Sequence, residues 1–195
     1  MLSRGYFDTK KIMAYIPGGK HFGQYTYEHW FDHEYKHGAA DEITIIEMKT
    51  EDIDFVSKLI SSIFDEFVGY NYSEEGNKTF KEYIDPKNLL ERYNKKSSRF
   101  YAAKCDNEIA GVLEIKNNDH ISLFFVKKEF HKKHIGKKLF ENYIKIMKQE
   151  NIITEKITVN SSIYAETIYE KIGFKKTGEL QEKNGIKFIP MEYNL

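Results

Sequence analysis

The spacing of apolar positions changes character along the chain, and the changes mark out its elements. Ile43–Met48 (ITIIEM) reads as a short β-branched strand. Ile53, Val56, Ile60, Ile63, Phe64 and Phe67 then recur at three- and four-residue intervals. That spacing predicts an amphipathic helix, with Thr50 as its cap and Glu51 and Asp52 in its first turn. Gly69–Ser73 interrupts the pattern, and Ser73 with Glu74 and Glu75 opens a second helix. Asp85-Pro86 stops that helix and starts a third, which carries Leu89, Leu90 and Tyr93.

From residue 100 the pattern turns to strands. Phe100–Lys104, Ile109–Ile115 and His120–Val126 are separated only by Asp106-Asn107 and Asn117-Asn118-Asp119, which predicts an antiparallel meander. Leu139, Tyr143, Ile146 and Met147 form the apolar stripe of the next helix. Ile157–Val159 is a strand that follows this helix, so a right-handed crossover lays it parallel to His120–Val126. Ser162–Ile172 reads as a helix ended by Gly173. Phe174–Glu182 and Ile186–Tyr193 form a hairpin about Lys183-Asn184-Gly185, with Pro190 marking an edge or irregularity. The order is βααα-βββ-αβ-αββ. It predicts one mixed α/β (α+β) sheet, mostly antiparallel, with helices on both faces.

Composition narrows the function classes. The 30 Lys and Arg balance 30 Asp and Glu, so any attraction to nucleic acid or a membrane must be local. The single cysteine, Cys105, excludes an internal disulfide. No secretion-signal pattern and no apolar run near about 18–20 residues is present, so a soluble cytoplasmic protein is expected. Residues 1–42 stand apart as an aromatic- and His-rich extension of unknown role, before a domain spanning 43–195. His29, His33 and His37 share one face of any helix there, a spacing that suits a metal. No cysteine or clearly placed carboxylate assists them, so no metal is expected.

The candidate chemistry centres on Ile121–Phe140. A buried strand feeds a loop with six lysines within residues 127–138, and the loop opens a helix. Helix N-termini bind phosphates through free N–H groups and the helix dipole. For Lys132, Lys133 and Lys137 this anion role is expected, and for Lys127 and Lys128 an ordinary solvated face. A nucleic-acid patch would need interleaved aromatics, and only Phe130 qualifies.

Three segments carry a resemblance to a family. After the strand Leu123-Phe124-Phe125-Val126 come His131, His134 and Gly136, where the GNAT family of acyl-CoA-dependent N-acyltransferases has Gln/Arg-x-x-Gly-x-Gly/Ala. Ser162, Ala165, Tyr169, Glu170, Lys171, Gly173 and Phe174 stand in the register of its Asn-x-x-Ala-x-x-x-Tyr-Glu-Lys-x-Gly-Phe segment. A hairpin closes the chain after Gly-Phe, as in that family. Residues 43–195 therefore resemble a small bacterial GNAT subgroup of unassigned substrate.

The resemblance implies a splayed parallel strand pair that holds acetyl-CoA as co-substrate. It implies Phe124, Phe125 and Val126 along the pantetheine, with His131, Lys132, Lys133, His134, Ile135, Gly136 and Lys137 at the phosphates. Asn160 and Ser162 would lie near the acyl end. Tyr169 would protonate the leaving thiolate. His120 is the expected base for the acceptor amine, with Glu114 or a water relay as rivals. The acceptor is expected to be a small-molecule or peptide amine that enters over Phe67–Tyr72 and the last hairpin. Neither nucleic acid nor membrane is an expected partner, and a homodimer stays open. The alternative is a GNAT-fold acyl-CoA sensor without transfer.

Overall fold

The computed structural model describes residues 42–106 and 108–195. The 1–42 extension, His29, His33 and His37 included, falls outside the described residues apart from Glu42. The elements are β1 (Ile43–Glu47), α1 (Ile53–Phe67), α2 (Glu74–Tyr83), α3 (Pro86–Asn94), β2 (Ser98–Cys105), β3 (Glu108–Lys116), β4 (His120–Val126), α4 (Ile135–Gln149), β5 (Lys156–Ser161), α5 (Glu166–Ile172), β6 (Lys175–Lys176), β7 (Gln181–Lys183) and β8 (Ile186–Asn194). The sheet runs β1-β2-β3-β4-β5-β8-β6, and β7 pairs with β8. Every ladder is antiparallel except β4 with β5. The mixed sheet with one parallel pair is the architecture expected from the order of periodicities.

Alternation along the central strands feeds two cores. Leu113, Ile115 and Ile121 pack with Leu139, Tyr143 and Met147 of α4 on one face. Phe100, Val112 and Leu123 pack with Val56 and Ile60 of α1 and Leu89 of α3 on the other. The predicted caps at Ser73 and Asp85 are present: Gly76 N–H donates to Ser73 Oγ at 3.1 Å, and Lys87 N–H to Asp85 Oδ1 at 2.9 Å.

Three local expectations are corrected. Thr50 does not cap α1. It begins a short 3-10 turn, and the Asp52 carboxylate accepts the Lys49 N–H at 3.0 Å. The helix expected from Ser162 begins at Glu166, because Ser162 closes a turn by accepting the Ala165 N–H at its backbone and side-chain oxygens. The strand expected at Phe174–Glu182 is split into β6 and β7. The split faces Pro190, whose carbonyl accepts the Thr177 N–H at 2.9 Å, which is the irregularity that the proline signalled.

Candidate active site

The parallel pair is short. Only His120↔Thr158 and Ile121↔Val159 are in register, and beyond them β4 and β5 separate. A bulge in β4 lies at the same place. Ile115 pairs with Ile121 and Glu114 with Leu123, so Ser122 is the extra residue. A bulge bends its strand and re-aims side chains. Here Ile121 joins the core under α4 while Leu123 joins the core under α1 and α3. Phe124 and Val126 therefore face α4, and Phe125 faces α1 and α3.

One end of the cleft meets the start of α4. Its N-cap, His134, has φ +59°, and Lys132 has φ +65°. Left-handed residues at this spacing turn successive N–H groups toward one concave site suited to an anion. Histidine takes up the conformation that glycine would occupy more freely. Gly136 lets the turn approach β4 closely: a Cβ there would stand 3.3 Å from Phe124 Cζ, and the ring would have to give by a few tenths of an ångström. Ile135 is buried beneath the turn, whereas Lys132, Lys133, His134 and Lys137 are exposed around it. Lys137 lies 3.7 Å from Glu141, and the Lys133 ammonium stands 5.2 Å over the Phe130 ring. Lys127 and Lys128 are taken up by ion pairs with Glu108 and Glu66. The His131 ring turns inward instead, with Nε2 3.0 Å from the Val126 carbonyl and the ring 5.7 Å from that of Phe67.

At the other end, His120 Nδ1 lies 2.8 Å from Thr158 Oγ1. The Thr158 hydroxyl donates to the Asp119 carbonyl at 3.3 Å, so it receives rather than gives the His120 hydrogen bond. That assigns the imidazole proton to Nδ1 and leaves Nε2 as an acceptor. Burial lowers the His120 pKa below its ordinary value of 6.5, and Lys116 adds to this while Asp119 opposes it. The ring is thus neutral near pH 7.

Tyr169 is buried on α5, 5.9 Å by ring centroid from Phe124 and 5.2 Å from Phe174. Burial raises its pKa, so the phenol keeps its proton. Asn160 is exposed near the end of β5, opposite Pro190. Ser162 Oγ is engaged in the turn that leads to α5.

Two contacts tie distant segments together on this side of the domain. Phe67 stacks on Tyr164 at 4.9 Å, linking the end of α1 to the turn after β5. The Ser73 N–H donates to the Gly185 carbonyl at 3.1 Å, tying the closing hairpin to the start of α2. A surface groove of about 420 Å³, lined by Ile144, Met147 and Leu195 among others, lies at the far end of α4 and shares no residue with this cleft.

Glu114, the rival to His120 as base, is not an open carboxylate. It is fully buried in β3, and Arg92 holds both its oxygens, at 2.8 and 3.2 Å. Sequence reasoning missed Ser122, Thr158, Arg92 and Tyr83. The readable signal was a charged residue at a core position in two places. Arg92 follows Leu89 at helical spacing, and Glu114 sits within the apolar run IAGVLEI.

A family model described as an acetyltransferase (GNAT) domain matches residues 69–195. Many solved structures share the fold. A GCN5-related N-acetyltransferase from Rhodopseudomonas palustris superposes with a TM-score of 0.67 at 17% identity, covering 81% of this chain and 99% of that one. The PaiA N-acetyltransferase from Thermoplasma acidophilum, solved with coenzyme A, is 25% identical, with a TM-score of 0.64 and coverage of 79% and 99%. A spermidine N-acetyltransferase from Vibrio cholerae, solved with CoA and spermine, is 18% identical, with a TM-score of 0.57 and coverage of 78% and 95%. No curated protein sequence matches significantly. Among the described residues no helix is long and apolar enough to cross a membrane.

Proposed function

The chain belongs to the GNAT acetyltransferase family, and from that premise we propose that it is an acetyl-CoA-dependent N-acetyltransferase acting on an amine of a small molecule or peptide by direct attack. The observation that carries the proposal is the cleft itself. The β4–β5 ladder stops after Ile121↔Val159, at the Ser122 bulge, and the gap ends at the left-handed turn into α4. The relative solved with coenzyme A, at 25% identity, supports the same co-substrate.

Acetyl-CoA supplies a thioester carbonyl open to a neutral amine. The turn 131–137 is the part of this chain suited to its phosphates. Backbone N–H groups at the α4 N-terminus and the exposed Lys132, Lys133 and Lys137 supply the charge complement. Backbone groups of Phe124, Phe125 and Val126 that face the gap are unpaired with β5 and available to the pantetheine amides, apart from the Val126 carbonyl, which His131 holds. The inward bond of His131 gives it a supporting role beneath the turn rather than a phosphate contact. Asn160 and Ser162 flank the β5 side of the cleft.

His120 Nε2 takes the proton from the amine. Its lowered pKa keeps it neutral and able to accept at pH 7. Tyr169 holds its proton until a thiolate departs and then returns one from its hydroxyl. The reaction needs no covalent enzyme intermediate, and buried Cys105 has no part in it.

The test is release of free thiol from acetyl-CoA across a panel of primary amines, polyamines and peptide N-termini. Turnover with at least one amine is expected. Tyr169→Phe should lower kcat by about 100-fold, the low end for losing a general acid, with little change in the KM for acetyl-CoA. Tight CoA binding without turnover on any amine would leave the sensor reading in its place.

A further inference from the structure

His120 and Thr158 form the first of only two register pairs between β4 and β5, so they stand at the closed end of the cleft. Thr158 lies between Ile157 and Val159, which both enter the core under α4, so its side chain projects from the other face of β5. His120 Nδ1 meets it there at 2.8 Å. The Asp119 carbonyl, in the turn before β4, accepts the Thr158 N–H at 2.7 Å and the Thr158 hydroxyl at 3.3 Å. Thr158 thus ties β5 to the start of β4 by its main chain and reaches the imidazole by its side chain.

A threonine hydroxyl has one proton to give. With that proton on the Asp119 carbonyl, its oxygen accepts from Nδ1–H, and Nε2 carries a lone pair. With the proton turned to Nδ1 instead, Nε2 would carry the N–H and could take no proton from an amine. The first arrangement satisfies the ring, the hydroxyl and the carbonyl in one chain. It also suits a base that must start neutral. A carboxylate at Nδ1 would raise the ring's pKa and favour imidazolium, whereas a hydroxyl adds no charge. The charged groups nearby leave Nδ1 to the hydroxyl. Lys116, opposite His120 on β3, and Asp119 act on the ring in opposite directions, and Glu192, opposite Thr158 on β8, is bound by Lys156 at 2.8 Å.

We infer that Thr158 is a positioning residue for His120: its hydroxyl, anchored on the Asp119 carbonyl, holds the ring in the tautomer with its proton on Nδ1, and so leaves Nε2 to take the proton of the acceptor amine. This rests on the acetyltransferase reading. In the transfer, the amine lone pair forms the C–N bond and the C–S bond breaks. The amine proton passes to Nε2, and the thiolate takes the proton of Tyr169. The ring becomes an imidazolium with Nδ1–H still on the Thr158 oxygen, so the chain through Asp119 needs no rearrangement as charge develops.

The experiment reads the His120 tautomer directly, by long-range proton–nitrogen NMR of nitrogen-labelled protein without substrate, above the pH at which the ring titrates. His120→Gln identifies its signals among those of the seven histidines. The unaltered protein should hold the proton on Nδ1. Thr158→Val, which keeps the β-branched shape but not the hydroxyl, should move it toward Nε2. The same change should lower kcat by about tenfold, the worth of one hydrogen bond, with the KM for acetyl-CoA unchanged. Thr158→Ser, which keeps the hydroxyl, should restore both the tautomer and kcat. Added to His120→Ala, Thr158→Val should cost nothing more in kcat. A proton on Nε2 in the unaltered protein, an unmoved proton in Thr158→Val, or a kcat for Thr158→Val within twofold of the unaltered protein overturns this inference while leaving the acetyltransferase reading intact. Absence of transfer by the unaltered protein to every amine overturns both.

Discussion

Replacing Arg92 by methionine should be among the most damaging single changes in the described fold. The substitution keeps a long, flexible side chain against the Tyr83 ring but removes both guanidinium donors that hold Glu114. The carboxylate it abandons has no exposed surface. Stripping a buried ion pair of one partner costs about 3–5 kcal/mol. The carbonyl of Tyr83, at the end of α2, also loses its Arg92 donor. For a domain of about 150 residues, each 1 kcal/mol is worth roughly 2–4 °C in Tm. The expected fall is therefore about 6–20 °C by calorimetry or circular dichroism. The double change Arg92→Met with Glu114→Leu removes both charges and should return most of this loss, to within about 2 kcal/mol of the unaltered protein. If Arg92→Met costs less than about 1 kcal/mol, or if the two changes simply add, the pair is not the clamp described here.

Three further outcomes follow from the same geometry. A Cβ at residue 76 would stand 2.1 Å from the Gly185 carbonyl oxygen, so Gly76→Ala must push the hairpin off the start of α2. Overpacking and the lost Ser73 bond together should cost about 2–4 kcal/mol in urea unfolding and raise the amine KM more than that for acetyl-CoA. His120 works as a base when neutral, and its folded pKa lies below 6.5. Activity should thus hold above pH 6.5 and fall as pH drops through that lowered pKa; His120→Ala should abolish this acidic limb, and an unchanged limb would rule it out as the base. Changing Lys132 and Lys133 together to alanine should raise the KM for acetyl-CoA several-fold and weaken its salt dependence, with kcat nearly unchanged.

Periodicity carried most of the architecture. The helical stripe of α1, the caps at Ser73 and Asp85, and the meander of β2 to β4 all follow from local spacing and turn chemistry. Pro190 marked a real break because a proline limits what can pair beside it. The failures lie where a local turn, a bulge or a contact distant in sequence decides. Residues 162–165 have helical composition, yet side-chain and backbone oxygens of Ser162 take the Ala165 N–H and hold a turn there. The bulge at Ser122 leaves the apolar run ISLFFV unchanged in letters while reversing which face Leu123 meets. Arg92 and Glu114 were visible as charges at core positions, but Tyr83, nine residues before one and on another helix, gave no sign of joining them. In the loop, the substitution of His134 for glycine was readable, and its positive φ agrees with that reading. The inward turn of His131 depends on Phe67, far upstream, and was not readable.

Direct transfer through the β4–β5 cleft is tested most sharply by a rapid-quench single turnover with acetyl-CoA and an accepted primary amine, followed by mass spectrometry of protein and amine. Free thiol and acetylated amine should appear together, in equal amounts, with no acetyl group on the protein at any time. Thiol release that precedes amine acetylation, with the acetyl group first found on the protein, would contradict it.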